Sequence, residues 1–231
     1  MVRTSRARGV VFASLVGIGL VLSACSACSA RTGDVEQSSA STSLPEPTEF
    51  SGYVRSPATN VASVTLPAVD GTPVTMVADP GGLRLVYFGY TTCPDVCPTT
   101  MSHVKKALAA QSQADRDRVQ VDMISIDPSR DTPDKLEEYI TRFVPSGNAI
   151  RTEDFVLLRS AADAFGADFT SRNNEEGQRE VSHTGDLYVV DDTGTILLAW
   201  PFGTEQPDIE RDLTRLLAGE RPAVEPPMED R

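Results

Sequence analysis

"LRLVYFGYTTCPDVCPTTM", Leu83 to Met101, joins an apolar run to a pair of cysteines and then to the first turns of a helical pattern. After Arg84 the run is continuously apolar and rich in β-formers, as a strand buried on both faces must be. From Thr99 onward Met101, Val104 and Leu108 recur at helical spacing and predict a helix to about Gln113. Cys93 and Cys97 stand between strand and helix, each followed by proline. Such a pair serves as a redox couple, as a structural disulfide or as two legs of a metal site.

The flanking sequence sets the fold around this joint. Val61 to Val77, "VASVTLPAVDGTPVTMV", reads as two short strands about a turn at Asp70 and Gly71. "VQVDMISID", Val119 to Asp127, is a second buried strand. In "DTPDKLEEYITRFV" Thr132 is an N-cap, Pro133 opens the helix, and Leu136, Tyr139, Ile140 and Phe143 form its apolar face. A short helix is expected around Ala161 to Phe165, and "DLYVVDDTGTILLAW" is a hairpin turning at Asp191 to Gly194. "PDIERDLTRLLAG" closes the domain as a helix with Ile209, Leu213, Leu216 and Leu217 on one face and Gly219 as its stop.

Strand, helix, strand, helix, hairpin and helix predict an α/β fold with a mixed central sheet flanked by helices. The right-handed crossover makes the first two central strands parallel, and the hairpin adds antiparallel ones. With an N-terminal strand pair and a C-terminal hairpin plus helix, the arrangement is thioredoxin-like. The cysteines fall where that fold keeps its active site.

Outside this domain the chain reads differently. Arg3, Arg6 and Arg8 precede an uncharged run from Gly9 to Leu22, the pattern of a signal peptide over residues 1–24 and too short for a membrane span. "LSAC", ending at Cys25, resembles a bacterial lipobox whose cysteine carries the lipid; Cys28 is a weaker second candidate. Residues 25–57 are expected to be a lipidated N-terminus and a flexible linker, 58–219 the domain, and 220–231 a disordered tail. The chain is thereby expected at the outer, extracytoplasmic face of the cell membrane, held by a lipid anchor. A formal net charge of −12 excludes nucleic acid and an electrostatic membrane contact.

A disulfide closing so short a loop restricts the unfolded chain little, so a purely structural bond is a poor account of Cys93 and Cys97. At a helix N-terminus the thiolate is favoured, and thiolate is both nucleophile and soft metal ligand. Disulfide exchangers of this fold separate their cysteines by two residues; here there are three, "PDV", a gap suited to two sulfurs straddling one ion. The chain has two histidines. His103 is turned away from Cys97 along the same helix and reads as a surface residue. His183, in "EVSHTGDLYVV", stands at the entrance to the hairpin, just after the polar loop "TSRNNEEGQRE", Thr170 to Glu180, and within reach of the cysteine turn. Two thiolates and an imidazole suit Cu(I), and Cu(II) less stably; zinc would want a fourth ligand. Met76, Met101 and Met123 read as core residues.

"YTTCPDVCPTTM", "SIDPSRDTPDKLEEYITRF" and "VSHTGDLYVVDDTG" resemble the three signature segments of the Sco/SenC family, copper-binding thioredoxin-like proteins that help assemble the CuA centre of cytochrome c oxidase. The resemblance implies that Cys93, Cys97 and His183 are copper ligands and that cytochrome c oxidase subunit II is the partner. It also implies that Asp127, Arg130, Asp131 and Pro133 shape the loop beside the site. Another copper chaperone or a thiol reductant is a further expected partner. Thr92 stands where many members carry a bulkier aromatic or histidine, and many hold on by a transmembrane helix where this chain offers a lipid. The rival function is a thiol-disulfide reductase using Cys93 and Cys97 as its redox pair, acting on exported proteins, the CuA cysteines among them. A peroxidase of the same fold is a weaker third reading.

Overall fold

The computed structural model of the chain describes residues 49–223, apart from positions 175 and 178. The leader, Cys25, Cys28, the linker up to 48 and the tail from 224 lie outside the described residues. The strand pair is β1 (Thr65–Pro67) and β2 (Pro73–Thr75); then come β3 (Leu83–Gly89), α1 (Val96–Ala110), α2 (Gln113–Arg116) and β4 (Val119–Ser125). They are followed by α3 (Pro133–Phe143), β5 (Asn148–Ile150), α4 (Phe155–Phe165), β6 (Phe169–Asn173) and β7 (Arg179–His183). The last elements are β8 (Leu187–Val190), β9 (Ile196–Trp200) and α5 (Gln206–Leu217). Among the described residues no helix is long and apolar enough to cross a membrane.

A five-stranded sheet of order β5-β4-β3-β8-β9 forms the centre. β3 runs parallel to β4 from Leu83↔Val119 to Gly89↔Ser125, β4 parallel to β5, and β8 antiparallel to both β3 and β9. This is the expected thioredoxin-like mixed sheet. Successive β3 side chains point to opposite faces. Phe88 meets Phe165 of α4 and Tyr188 on one face, while Tyr87 turns towards Cys97 of α1. Met76, Met101 and Met123 are fully buried, as core packing requires.

Arg84 is buried inside β3, which is tolerable only because it is paired. Its Nη1 lies 2.5 Å from Oδ2 of Asp122, its Nε donates to the Val77 carbonyl at 2.9 Å, and Asn148 Nδ2 donates to the other carboxylate oxygen at 2.7 Å. Burial pushes the Asp122 carboxyl above its ordinary pKa, and Arg84 opposes that rise. Asp212 of α5 organises a second buried group. Its Oδ2 accepts from Trp200 Nε1 at 2.9 Å and from the backbone N–H of Ser51 and Gly52 at 2.9 and 3.1 Å. Tyr53 bridges Ala199 of β9. Residues 51–53, expected as the end of the linker, are thus held against the domain.

Other differences have local causes. α1 starts at Val96 rather than Thr99, because Pro98 is tolerated inside a first turn where no N–H is needed. α4 begins six residues before the expected helix, capped by Asp154, whose Oδ1 accepts from Val156 N and Leu157 N at 2.9 and 3.0 Å. Its first turn exposes Phe155, Val156 and Leu157, so no amphipathic period marks it. The expected polar loop "TSRNNEEGQRE" is largely a two-stranded hairpin, β6 with β7, in register from Phe169↔His183 to Asn173↔Arg179. His183 ends β7 of that separate hairpin and does not belong to the β8–β9 hairpin of the central sheet.

Candidate metal centre

Strand β3 delivers the chain to Tyr90, and the cysteine turn follows before α1 begins. Cys93 is not helical, so the two sulfurs do not converge by sharing a helix face. Pro94 and the N-cap residue Asp95 fold the turn back over the start of α1. Asp95 makes no side-chain cap, and Sγ of Cys93 takes that place, accepting the Cys97 N–H at 3.3 Å. Both cysteines are free thiols, almost wholly buried.

His183 approaches from β7. Its Nδ1 lies 2.8 Å from the carbonyl of Thr184. A carbonyl only accepts, so Nδ1 carries the proton, and in the neutral ring Nε2 keeps its lone pair. That nitrogen is 3.7 Å from Sγ of Cys97. Edge-on contacts from Tyr87 and Tyr90, with ring centroids at 6.0 and 5.9 Å, hold the imidazole from two sides. The donor atoms of Cys93, Cys97 and His183 all lie within 4.8 Å of one another. Bonds of about 2.0–2.3 Å from one ion place the donors of a trigonal site roughly 3.7 Å apart, so the group closes on a metal with little movement.

Electrostatics divides the two thiols. A hydrogen bond from the Cys97 thiol holds Cys93 down at about 4; burial opposes this, and backbone N–H groups of Cys97 and Asp95 and the Tyr90 hydroxyl add to it. The same hydrogen bond, with burial, pushes Cys97 up. Tyr90 is pushed up to about 12 by burial and by the negative sulfur of Cys93. At neutral pH the pair is therefore one thiolate and one thiol that share a proton.

The segment after β4 holds this turn in place. Asp131, fully buried, accepts from Thr91 N at 3.1 Å, Thr91 Oγ1 at 2.6 Å and Ser125 Oγ at 2.6 Å. Thr132 and Pro133 start α3 as expected, Thr132 Oγ1 accepting from Lys135 N at 3.4 Å. Asp127, also buried, pairs with Arg130, whose guanidinium lies over the Tyr90 ring at 5.8 Å. Thr92 is exposed at the rim of a cleft of about 440 Å³ between the cysteine turn and the β6–β7 hairpin. His103, half-buried rather than on the surface, donates from Nδ1 to the Thr204 carbonyl at 3.0 Å and takes no part in the group. Tyr87, Tyr90 and Thr184 complete the surroundings of His183. Their roles had no signal in the sequence, since aromatic residues after an apolar run read as core and Thr184 acts through its backbone carbonyl, which no side chain marks.

Fold and group together define a thioredoxin-like protein whose cysteine turn is completed by a histidine from a separate hairpin. The SCO1/SenC family description matches residues 55–218, and the chain belongs to that family. A Stutzerimonas stutzeri protein named for copper binding is 30% identical over 141 residues, covering 61% of this chain and 69% of its own. The solution structure of apo Sco1 from Thermus thermophilus aligns with a TM-score of 0.64 at 30% identity, over 72% of this chain and 96% of that one. Copper-bound ScoI of Bradyrhizobium japonicum aligns with a TM-score of 0.57 at 28% identity, over 66% and 96%.

Proposed function

We propose that the chain is a copper chaperone that holds one copper ion, its cargo, through Sγ of Cys93, Sγ of Cys97 and Nε2 of His183. It hands the ion to the CuA centre of cytochrome c oxidase subunit II during oxidase assembly. The observation that carries this reading is the convergence of two free thiols and an imidazole nitrogen within 4.8 Å. Family membership and the copper bound by the related ScoI support it. Two thiolates and one imidazole favour Cu(I), with Cu(II) held less stably.

On loading, Cys93 meets the ion already as thiolate, Cys97 gives up its proton, and His183 supplies a neutral donor. Transfer is ligand exchange, in which acceptor groups replace these donors one at a time and no electron changes hands. A lipid on Cys25 would keep the domain at the extracytoplasmic face of the cell membrane, beside a membrane-bound acceptor.

The low position of Cys93 favours a second reading, thiol-disulfide reduction of exported proteins or of the CuA cysteines. Its thiolate attacks a target disulfide and forms a mixed disulfide, releasing one target thiolate. Cys97, deprotonated, then attacks Cys93 sulfur and frees the second, leaving the target reduced and this pair oxidised until an external thiol restores it.

A titration of the full chain with Cu(I) against a competing chelator tests the first reading. His183→Ala is expected to bind more weakly and the Cys93→Ser/Cys97→Ser double variant not at all; parental affinity of either would end it. In a deletion strain, recovery of copper-dependent growth and oxidase activity by His183→Ala would favour the thiol role instead.

A further inference from the structure

The β6–β7 hairpin carries His183 yet has little core of its own. Along β7 only Val181 and His183 are even half-buried. A two-stranded hairpin is marginal by itself in water, so its position depends on anchors outside it. At its base these are the buried ring of Phe169, which stands opposite His183 and packs against Phe155 and the Arg159 guanidinium, Arg159 itself, with Nη1 2.9 Å from Asp168 Oδ1, and Asp168 N, which donates to Thr184 Oγ1 at 3.0 Å. Further out, the 440 Å³ cleft separates the hairpin from the cysteine turn. One ion pair spans the gap: Arg179 Nε lies 3.5 Å from Oδ1 of Asp127.

Alternation along a strand puts Arg179, Val181 and His183 on one face. The Asp127 carboxylate therefore holds the same face that presents the imidazole. It reaches His183 by a second route as well, through Arg130, whose guanidinium covers Tyr90, whose ring edges His183. Asp127 is completely buried and Arg179 one-third exposed, so the charge of the carboxylate is committed to these two cations.

We infer that Asp127 and Arg179 are positioning residues for the histidine ligand: their ion pair fastens the hairpin across the cleft and sets how closely Nε2 of His183 stands to the two sulfurs. This rests on the copper reading above, and it assigns a task to an arginine in what reads as an ordinary polar loop. Arg172 provides the contrast. It lines the same cleft but pairs with Glu180 of its own hairpin at 3.5 Å and spans nothing.

The test is a double-mutant cycle on Cu(I) affinity of the full chain, in detergent, against a chromophoric chelator. Arg179→Gln is expected to weaken Cu(I) binding about 10-fold, at the lower end of what partners of metal ligands contribute, and to weaken the nitrogen coupling in the Cu(II) electron paramagnetic resonance spectrum. In the His183→Ala background the same substitution should cost nothing further. Removing a positive charge near a cation site should by itself raise affinity, so Arg172→Gln is expected to bind as well as the parent or slightly better. Asp127→Asn should match Arg179→Gln; if that buried substitution does not fold, the exposed arginine decides alone. Parental affinity of Arg179→Gln, or an equal loss with and without His183, would overturn the inference. Parental affinity of His183→Ala would instead remove the copper reading beneath it.

Discussion

β3 is buried at all seven positions and hydrogen-bonded to a strand on each side, whereas β7 has no fully buried residue and pairs only with β6. Both end at the same place. β3 leads into the turn that carries Cys93 and Cys97, and β7 terminates at His183. Two of the three donors thus follow directly on a fully buried central strand, and the third sits on a polar hairpin held by buried Phe169, by ion pairs and by the edges of two tyrosines. On the proposed copper reading, a site that grips an ion and then releases it gains from this division, because the donor on the less buried strand is the one expected to withdraw.

Breaking the rigid half should have the largest effects. Cys93→Ser/Cys97→Ser should abolish stoichiometric Cu(I) binding, read by chelator competition, with the fold retained by circular dichroism. In the core beneath, Arg84→Ala leaves the buried Asp122 charge unpaired and should cost about 3–5 kcal/mol, measured as a lowered urea midpoint. His183→Ala removes a donor itself and should weaken Cu(I) binding more than the about 10-fold expected for an outer partner, while shifting the urea midpoint little, because its strand is not part of the core.

The smallest effect concerns the proton shared by the sulfurs. Cys93 is depressed from the ordinary thiol value of 9.0 to about 4, so its thiolate persists as the pH falls and is lost only near that lower value. Iodoacetamide should therefore modify Cys93 of the reduced apo-protein at nearly constant rate from pH 8 to pH 6, and Cys97, pushed the other way, should stay unmodified. A rate that dropped steeply across that interval would place the thiolate elsewhere.

The same contrast decides what could be read in advance. The apolar run of β3, the Thr132–Pro133 helix start and the β8–β9 turn are local signals tied to burial or to backbone geometry, and each stands where the sequence pattern puts it. The hairpin β6–β7 gave no such signal, since "TSRNNEEGQRE" alternates nothing and packs little. Cys93, Cys97 and His183 were legible as residue types in order. Their meeting depends on long-range pieces that no spacing encodes: Asp131 fixing Thr91 and Asp127 reaching Arg179. The buried Arg84 and Asp212 were equally silent, because a charge inside a strand or on a helix looks exposed until its partner is found.

X-ray absorption of the full chain loaded with one Cu(I) counts the donors of the proposed site. Two sulfur scatterers and one nitrogen are expected for the parent, and loss of the nitrogen alone in His183→Ala. A spectrum unchanged by that substitution, or one with a single sulfur, would contradict the proposal.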